Sequence, residues 1–192
     1  MKHYKGQCYA WDVVNEAFNE DGTFRESVFS TVLGGNEFIE LAFETASKLD
    51  PKAKLYYNDY NLESPSPKTE AVQKLVKRLQ SKKIRIDGVG LQAHLVAESR
   101  PTLDEHVAAI KGFADLGVEV ALTELDVRLQ TPANATNLAQ QKEAYKNVST
   151  LTRCRHHLAR RRDSMLTNYV SIGRRSLRPS QRLHRCHHLG FL

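Results

Sequence analysis

"CYAWDVVNEA", residues 8–17, decides how the rest of the chain is read. Its apolar and β-branched residues make a run as long as a buried strand. The run ends on a polar pair, Asn15 and Glu16. A strand that closes on a carboxylate is either capping a helix or presenting an acid at one end of a sheet. The choice turns on whether the same arrangement recurs.

It recurs three times. "NEFIELAFETASKLD" (36–50) has helical spacing, with Ile39, Phe43 and Ala46 on one face, and Asp50-Pro51 stops it. "AKLYYND" (53–59) is the next strand. "SPKTEAVQKLVKRLQSKK" (66–83) comes after it as a helix, with Val72, Leu75, Val76 and Leu79 at i, i+3, i+4 and i+7. "IDGVGLQAH" (86–94) is a third strand. "TLDEHVAAIKGFADLG" (102–117) opens on a capping box, Thr102 with Glu105, and closes on Gly117. "VEVALTELDV" (118–127) is the fourth strand and "NLAQQKEAYKNV" (137–148) the fourth helix. Alternation of this length predicts an α/β fold of parallel strands joined by right-handed crossovers.

The predicted strand ends fall near Glu16, Asn58, Gln92 and Glu124, and they collect the unusual polar residues: Asn15, Glu16, Asn58, Asp59, Gln92, His94, Glu124 and Asp126. In a (β/α)8 barrel the active site lies at these ends. One such residue is most simply a loop polar group or a helix cap. Four strand ends together are poorly explained that way.

Glu16 and Glu124 form the natural catalytic pair. Two carboxylates at one barrel mouth suit glycoside hydrolysis, one as general acid on the leaving oxygen and the other as nucleophile or activator of water. Asn15 is placed to bond a sugar hydroxyl. His94 is placed to keep Glu124 ionised, with Asp126 fixing the imidazole tautomer. Standing alone, His94 would read as a core histidine satisfied by backbone.

"WDVVNEA", "YYNDYN", "GVGLQAHL" and "ALTELDV", in this order and spacing, resemble glycoside hydrolase family 10, the (β/α)8 endo-1,4-β-xylanases, in its fungal form. The resemblance runs from about Tyr4 to Val148. It implies that Glu16 is the acid/base and Glu124 the nucleophile, and that Asn15 grips the 2-hydroxyl of the sugar at the cleavage point. It implies that Gln92 and His94 contact the nucleophile with Asp126 behind His94. Tyr60 and Asn61 become contacts on the leaving-group side, Tyr60 by stacking on a xylose ring. A retaining mechanism is implied too, with the two carboxyls about 5–5.5 Å apart. The resemblance also implies xylan or xylo-oligosaccharide as the partner, no cofactor or metal, a monomer, and an extracellular site of action.

The expected fold is therefore α/β, a partial (β/α)8 barrel over residues 1–148 with about four βα units, equivalent to strands four to seven, plus an irregular C-terminal tail over residues 149–192. The family's first three strands, with their Lys, His and Trp sugar contacts, and its Trp-bearing eighth have no counterpart here. "MKHYKGQCYAW" lacks the apolar core of a signal peptide.

Charge separates the two parts. The formal net charge is +6, yet residues 1–150 hold 21 acids against 18 bases, while residues 151–192 hold ten Arg and one acid, Asp163. All thirteen Lys precede the tail, and five of the eight His lie in it. The tail admits two readings: an arginine-rich nucleic-acid arm, or non-native sequence read through a frameshift or an unspliced intron. Arginine without lysine and the abrupt switch within the family pattern favour the second, so no nucleic-acid partner is expected. No apolar run approaches the roughly 20 residues of a membrane span. Cys8, Cys154 and Cys186 have no metal-ligand spacing, and an odd count argues against a disulfide framework. Sequons stand at Asn134 and Asn147. Two further functions stay open: a catalytically dead half-barrel that at most binds xylan, and nucleic-acid binding through the tail.

Overall fold

The computed structural model describes residues 1–158 and 184–186. In chain order the elements are β1 (Cys8–Asn15), α1 (Val28–Leu33), α2 (Glu37–Leu49), β2 (Lys54–Asp59), α3 (Pro67–Ser81), β3 (Gly88–Leu91), β4 (His94–Val96), α4 (Leu103–Ala114), β5 (Glu119–Leu122), β6 (Asp126–Arg128), α5 (Ala135–Leu158) and β7 (His184–Cys186). A five-stranded sheet runs β5-β3-β2-β1-β7, and β4 pairs with β6 in a second ladder. Every pairing between named strands is parallel, as the alternation predicted.

Local chemistry sets the helix starts. Ser66 Oγ accepts from Thr69 N, and Pro67 occupies the first turn of α3, where its missing N–H costs nothing. Thr102 and Glu105 cap α4 reciprocally, the box expected from sequence. The long loop after β1 holds an unexpected short helix, α1, closed by a Ser27–Ser30 capping box and a left-handed Gly34.

The core lies between the sheet and α2, α3 and α4. Ile39 and Phe43 of α2, Val72, Val76 and Leu79 of α3, and Phe113 of α4 are wholly buried against Leu55, Tyr57, Val89 and Leu91 of the strands. Each such side chain contributes roughly 1.5–3 kcal/mol relative to exposure. Trp11 Nε1 donates to the buried Asp50 Oδ2 at 3.0 Å, which ties β1 to the end of α2.

Two expected strands are broken. The third splits into β3 and β4 at Ala93, which has a left-handed φ of 62°. The fourth splits into β5 and β6. Leu91 pairs with Leu122 and His94 with Asp126, so two residues on one strand face three on the other. This extra residue bends the strand ends away from the main sheet. Another register shift lies between Asp12 and Val14 in β1.

α5 starts two residues before the expected helix and runs on to Leu158, past residue 148. The physical reason is an apolar stripe, with Ala144, Val148 and Leu151 all buried. Three tail residues form β7 and pair with β1. Residues 159–183 and 187–192 lie outside the described set, so the expectation of irregular structure there does too. Cys8 is disulfide-bonded, against the expectation drawn from the odd cysteine count. Among the described residues no helix is long and apolar enough to cross a membrane.

Candidate active site

The parallel register sets Asn15 beside Asn58, Asn58 beside Gly90, and Gly90 beside Ala121, in one row across the sheet. The site is built on the residues at or just beyond this row. Glu16 comes directly after β1 with φ 53°, a left-handed conformation that costs a non-glycine residue roughly 1–2 kcal/mol. Its N–H is held by Asn58 O at 2.9 Å.

A chain of amides joins the two acids. Gln92 Nε2 donates to Glu16 Oε1 at 3.0 Å and, more weakly, to Asn15 Oδ1 at 3.4 Å. Asn58 Nδ2 donates to Asn15 Oδ1 at 2.8 Å and to Glu124 Oε1 at 2.9 Å. Thr123 Oγ1 donates to Asn58 Oδ1 at 2.8 Å, so the Asn58 nitrogen is the end turned to the carboxylate. The two ends of one polar network are thus Glu16 and Glu124.

On the far side of Glu124, His94 Nε2 lies 3.3 Å from Oε2, and His94 Nδ1 lies 3.0 Å from Asp126 Oδ1. The β4–β6 pairing of His94 with Asp126 creates this line of three. The bond to Asp126 pushes the imidazole up from its ordinary value against partial burial, and the Asp126 and Glu124 charges add to the rise.

Glu16 has a different partner, Arg25, whose Nη1 lies 2.9 Å from Oε2. Burial pushes the Glu16 carboxyl up, but the bonds from Gln92, Arg25 and Asn15 and the Arg25 charge outweigh it and hold it below the ordinary carboxylate range. Tyr60 and Asn61 make no direct bond to either acid. They lie just past β2 on the Glu16 side: the guanidinium that grips Glu16 also feels the Tyr60 phenol, and Asn61 Nδ2 donates to Glu20 Oε2 at 3.2 Å.

The Gln92 side-chain amide turns to Glu16 and Asn15, while its backbone carbonyl accepts from the N–H of the nucleophile candidate Glu124 at 3.0 Å. The acceptor of the Gln92 amide is therefore the residue expected to handle the proton. Asn58 stands in the strand-end row of the sequence without a role; its place between Glu124 and Asn15 supplies one. Arg25 has no periodic signal, since it lies in the loop between β1 and α1.

Among the described residues, no three or more His, Cys, Asp or Glu side chains are grouped to hold a metal ion. Residues 1–161 match the model of glycosyl hydrolase family 10. The chain belongs to this family. Family 10 relatives include endo-1,4-beta-xylanase A of Humicola insolens, 74% identical over 146 residues, a match covering 76% of this chain and 39% of the relative. Endo-1,4-beta-xylanase A of Fusarium oxysporum f. sp. lycopersici is 48% identical over 155 residues, 77% of this chain and 47% of the relative. The family 10 xylanase from Bispora sp. MEY-1, solved with xylobiose, superposes with a TM-score of 0.74 at 43% identity, covering 76% of this chain and 45% of that one. Solved family 10 members are (β/α)8 barrels, and this chain spans less than half the length of these relatives.

Proposed function

We propose that this chain carries the acid/base and nucleophile of an enzyme that cleaves β-1,4-xylosidic bonds in xylan with retention. The observation that carries the reading is the amide network Glu16–Gln92–Asn15–Asn58–Glu124. It fixes two carboxylates on one strand-end row and gives each a different electrostatic partner.

Glu124 is the nucleophile. Asn58 donates to it and His94 Nε2 lies 3.3 Å away, so two donors orient the carboxylate that attacks the anomeric carbon. Glu16 gives its proton to the leaving oxygen, then takes one from the water that releases the glycosyl-enzyme. The bonds from Gln92 and Arg25 favour the ionised form of Glu16, the form needed for the second step. The first step needs it protonated, so Arg25 releases Oε2 when the leaving oxygen arrives there. Asn15 receives the 2-hydroxyl, and Tyr60 and Asn61 bind the leaving-group sugars. The enzyme acts as a secreted monomer.

The test is a barrel in which the matched segment of this chain replaces its counterpart in the Humicola insolens relative. Reducing-sugar release from xylan, with the first-formed anomer followed by NMR, should show hydrolysis with retention. An inactive but folded hybrid, or inverted product, would end this reading.

Two variants of the hybrid probe the network. A Cβ on Gly90 would run into the Asn58 carboxamide and come within 2.7 Å of Thr123 Cγ2. Gly90→Ala should therefore cost about 1–3 kcal/mol of stability and lower kcat on xylan at least tenfold, read by urea denaturation and steady-state kinetics. His94→Gln addresses pH. A folded pKa above the unfolded one gives stabilisation that is whole below about pH 6.5 and lost as pH rises through the folded value. The parent's advantage over His94→Gln should thus be largest near pH 6 and shrink towards pH 9. Its size stays under about 1 kcal/mol, because a ring 42% exposed is screened by solvent. An advantage that grows with pH would refute the charged histidine.

A further inference from the structure

Lys68 has no exposed side-chain surface, yet it carries an ammonium group. It stands on α3, four residues before Val72, on the same stripe that packs the core. Its Nζ makes three contacts. It lies 2.9 Å from Asp59 Oδ1, 3.1 Å from Glu20 Oε1, and 3.4 Å from the centroid of the Tyr60 ring.

Each contact leads to the same two residues. Asp59 Oδ1 also accepts from the Tyr60 N–H at 2.9 Å. Glu20, through its other oxygen, accepts from Asn61 Nδ2. The third contact is the Tyr60 ring itself, with the cation over one face. Asn61 sits at φ 56°, the left-handed region that asparagine tolerates better than most residues. One further link reaches the acid: the Tyr57 hydroxyl donates to Asp59 Oδ2 and accepts from the N–H of Ala17, next to Glu16.

A fold alone gives little reason for such a group. Removing two charges from water is expensive, and well-packed apolar side chains often replace a buried pair without loss of stability. What an apolar residue cannot do is hold a carboxylate on each side and an aromatic ring beneath. Tyr60 and Asn61 also lie on the side of the acid/base. A proton donor touches the leaving oxygen, so sugar units beyond the cleaved bond must pass on that side.

We propose that Lys68 is a positioning residue for the leaving-group half of the cleft, fixing Tyr60 and Asn61 where they meet the sugars beyond the cleaved bond. The proposal rests on the hydrolytic reading above. It assigns Lys68 no part in bond breaking: the ammonium braces the back of the Tyr60 ring and leaves the opposite face for a pyranose.

The test compares two substrates of the hybrid barrel. Xylopentaose places sugars on both sides of the cleaved bond; an aryl β-xylobioside has none on the leaving side. The hybrid itself must cleave xylopentaose, and failure there counts against the hydrolytic reading rather than this one. With Lys68→Met, the ratio of kcat/KM on xylopentaose to that on the aryl xylobioside should fall at least tenfold. Asp59→Asn with Lys68→Met removes the orphaned charge if the single variant does not fold. Glu20→Gln, on an exposed residue, removes the charge that links Lys68 to Asn61 and should lower the same ratio about threefold. A packing role would lower both substrates alike, so an unchanged ratio in whichever of these variants folds overturns the proposal.

Discussion

In the hybrid barrel, Glu124→Gln should abolish turnover on every substrate, while Glu16→Gln should lose much less on substrates with a good leaving group. The difference stems from what each carboxyl does. In the proposed mechanism Glu124 forms the covalent bond to the anomeric carbon, and an amide in its place still accepts a bond from Asn58 or His94 but is no nucleophile. The expected loss is roughly 10⁵-fold or more, the scale seen when other enzymes lose a nucleophile. Glu16 moves a proton, which is worth about 10²–10⁴-fold. Xylan's leaving group is a sugar hydroxyl and needs that proton, so Glu16→Gln should lose the full factor there. A dinitrophenolate departs without it, so the first step on dinitrophenyl xylobioside should stay near normal and only release of the glycosyl-enzyme should slow. A pre-steady-state burst of dinitrophenolate is the signature. Comparable losses for both variants on both substrates would exchange or dissolve the assigned roles.

Much of this site is legible in the sequence because strands and catalytic ends obey short-range rules. The run from Cys8 to Asn15 reads as a strand from apolar content alone, and β1 has those bounds. The row of strand-end polar residues singles out Glu16, Glu124, His94 and Asp126, and the structure links His94 to both Glu124 and Asp126. What escapes depends on backbone dihedrals and on loops. Nothing periodic marks a left-handed Ala93, which stands between Gln92, whose side-chain amide reaches Glu16, and His94, which reaches Glu124. Arg25 reaches Glu16 from a loop whose path no spacing fixes. Two further features leave a trace in the residue spacing. Lys68 falls in step with Val72, Leu75, Val76 and Leu79, a charge on an apolar stripe. Leu151 continues the Ala144 and Val148 spacing across residue 148, which is why α5 does not stop there.

Residues 1–192 expressed alone should self-associate and show no xylan hydrolysis, in contrast to the hybrid barrel. Among the described residues the five-stranded sheet is open, with β5 and β7 at its edges. A closed barrel has no edges, whereas each edge here presents backbone groups that template pairing with another chain. The surface adds to the hazard: Val28, Val32, Leu33 and Leu41 on α1 and α2 are 48–74% exposed. Apolar surface left in water forfeits roughly 25 cal/mol for every Å². A few hundred Å² of such surface therefore matches the roughly 5–15 kcal/mol that keeps a domain folded. Geometry counts as well, because a shift of about 1 Å in how the sugar meets Glu124 costs on the order of 100-fold in rate. Size-exclusion chromatography with light scattering, beside a reducing-sugar assay on the same sample, decides the matter. A monomer that turns over xylan would mean that the strand-end network of Glu16, Gln92, Asn15, Asn58 and Glu124 holds its shape without an enclosing barrel. The open sheet edges would then have to be shielded by other parts of the chain.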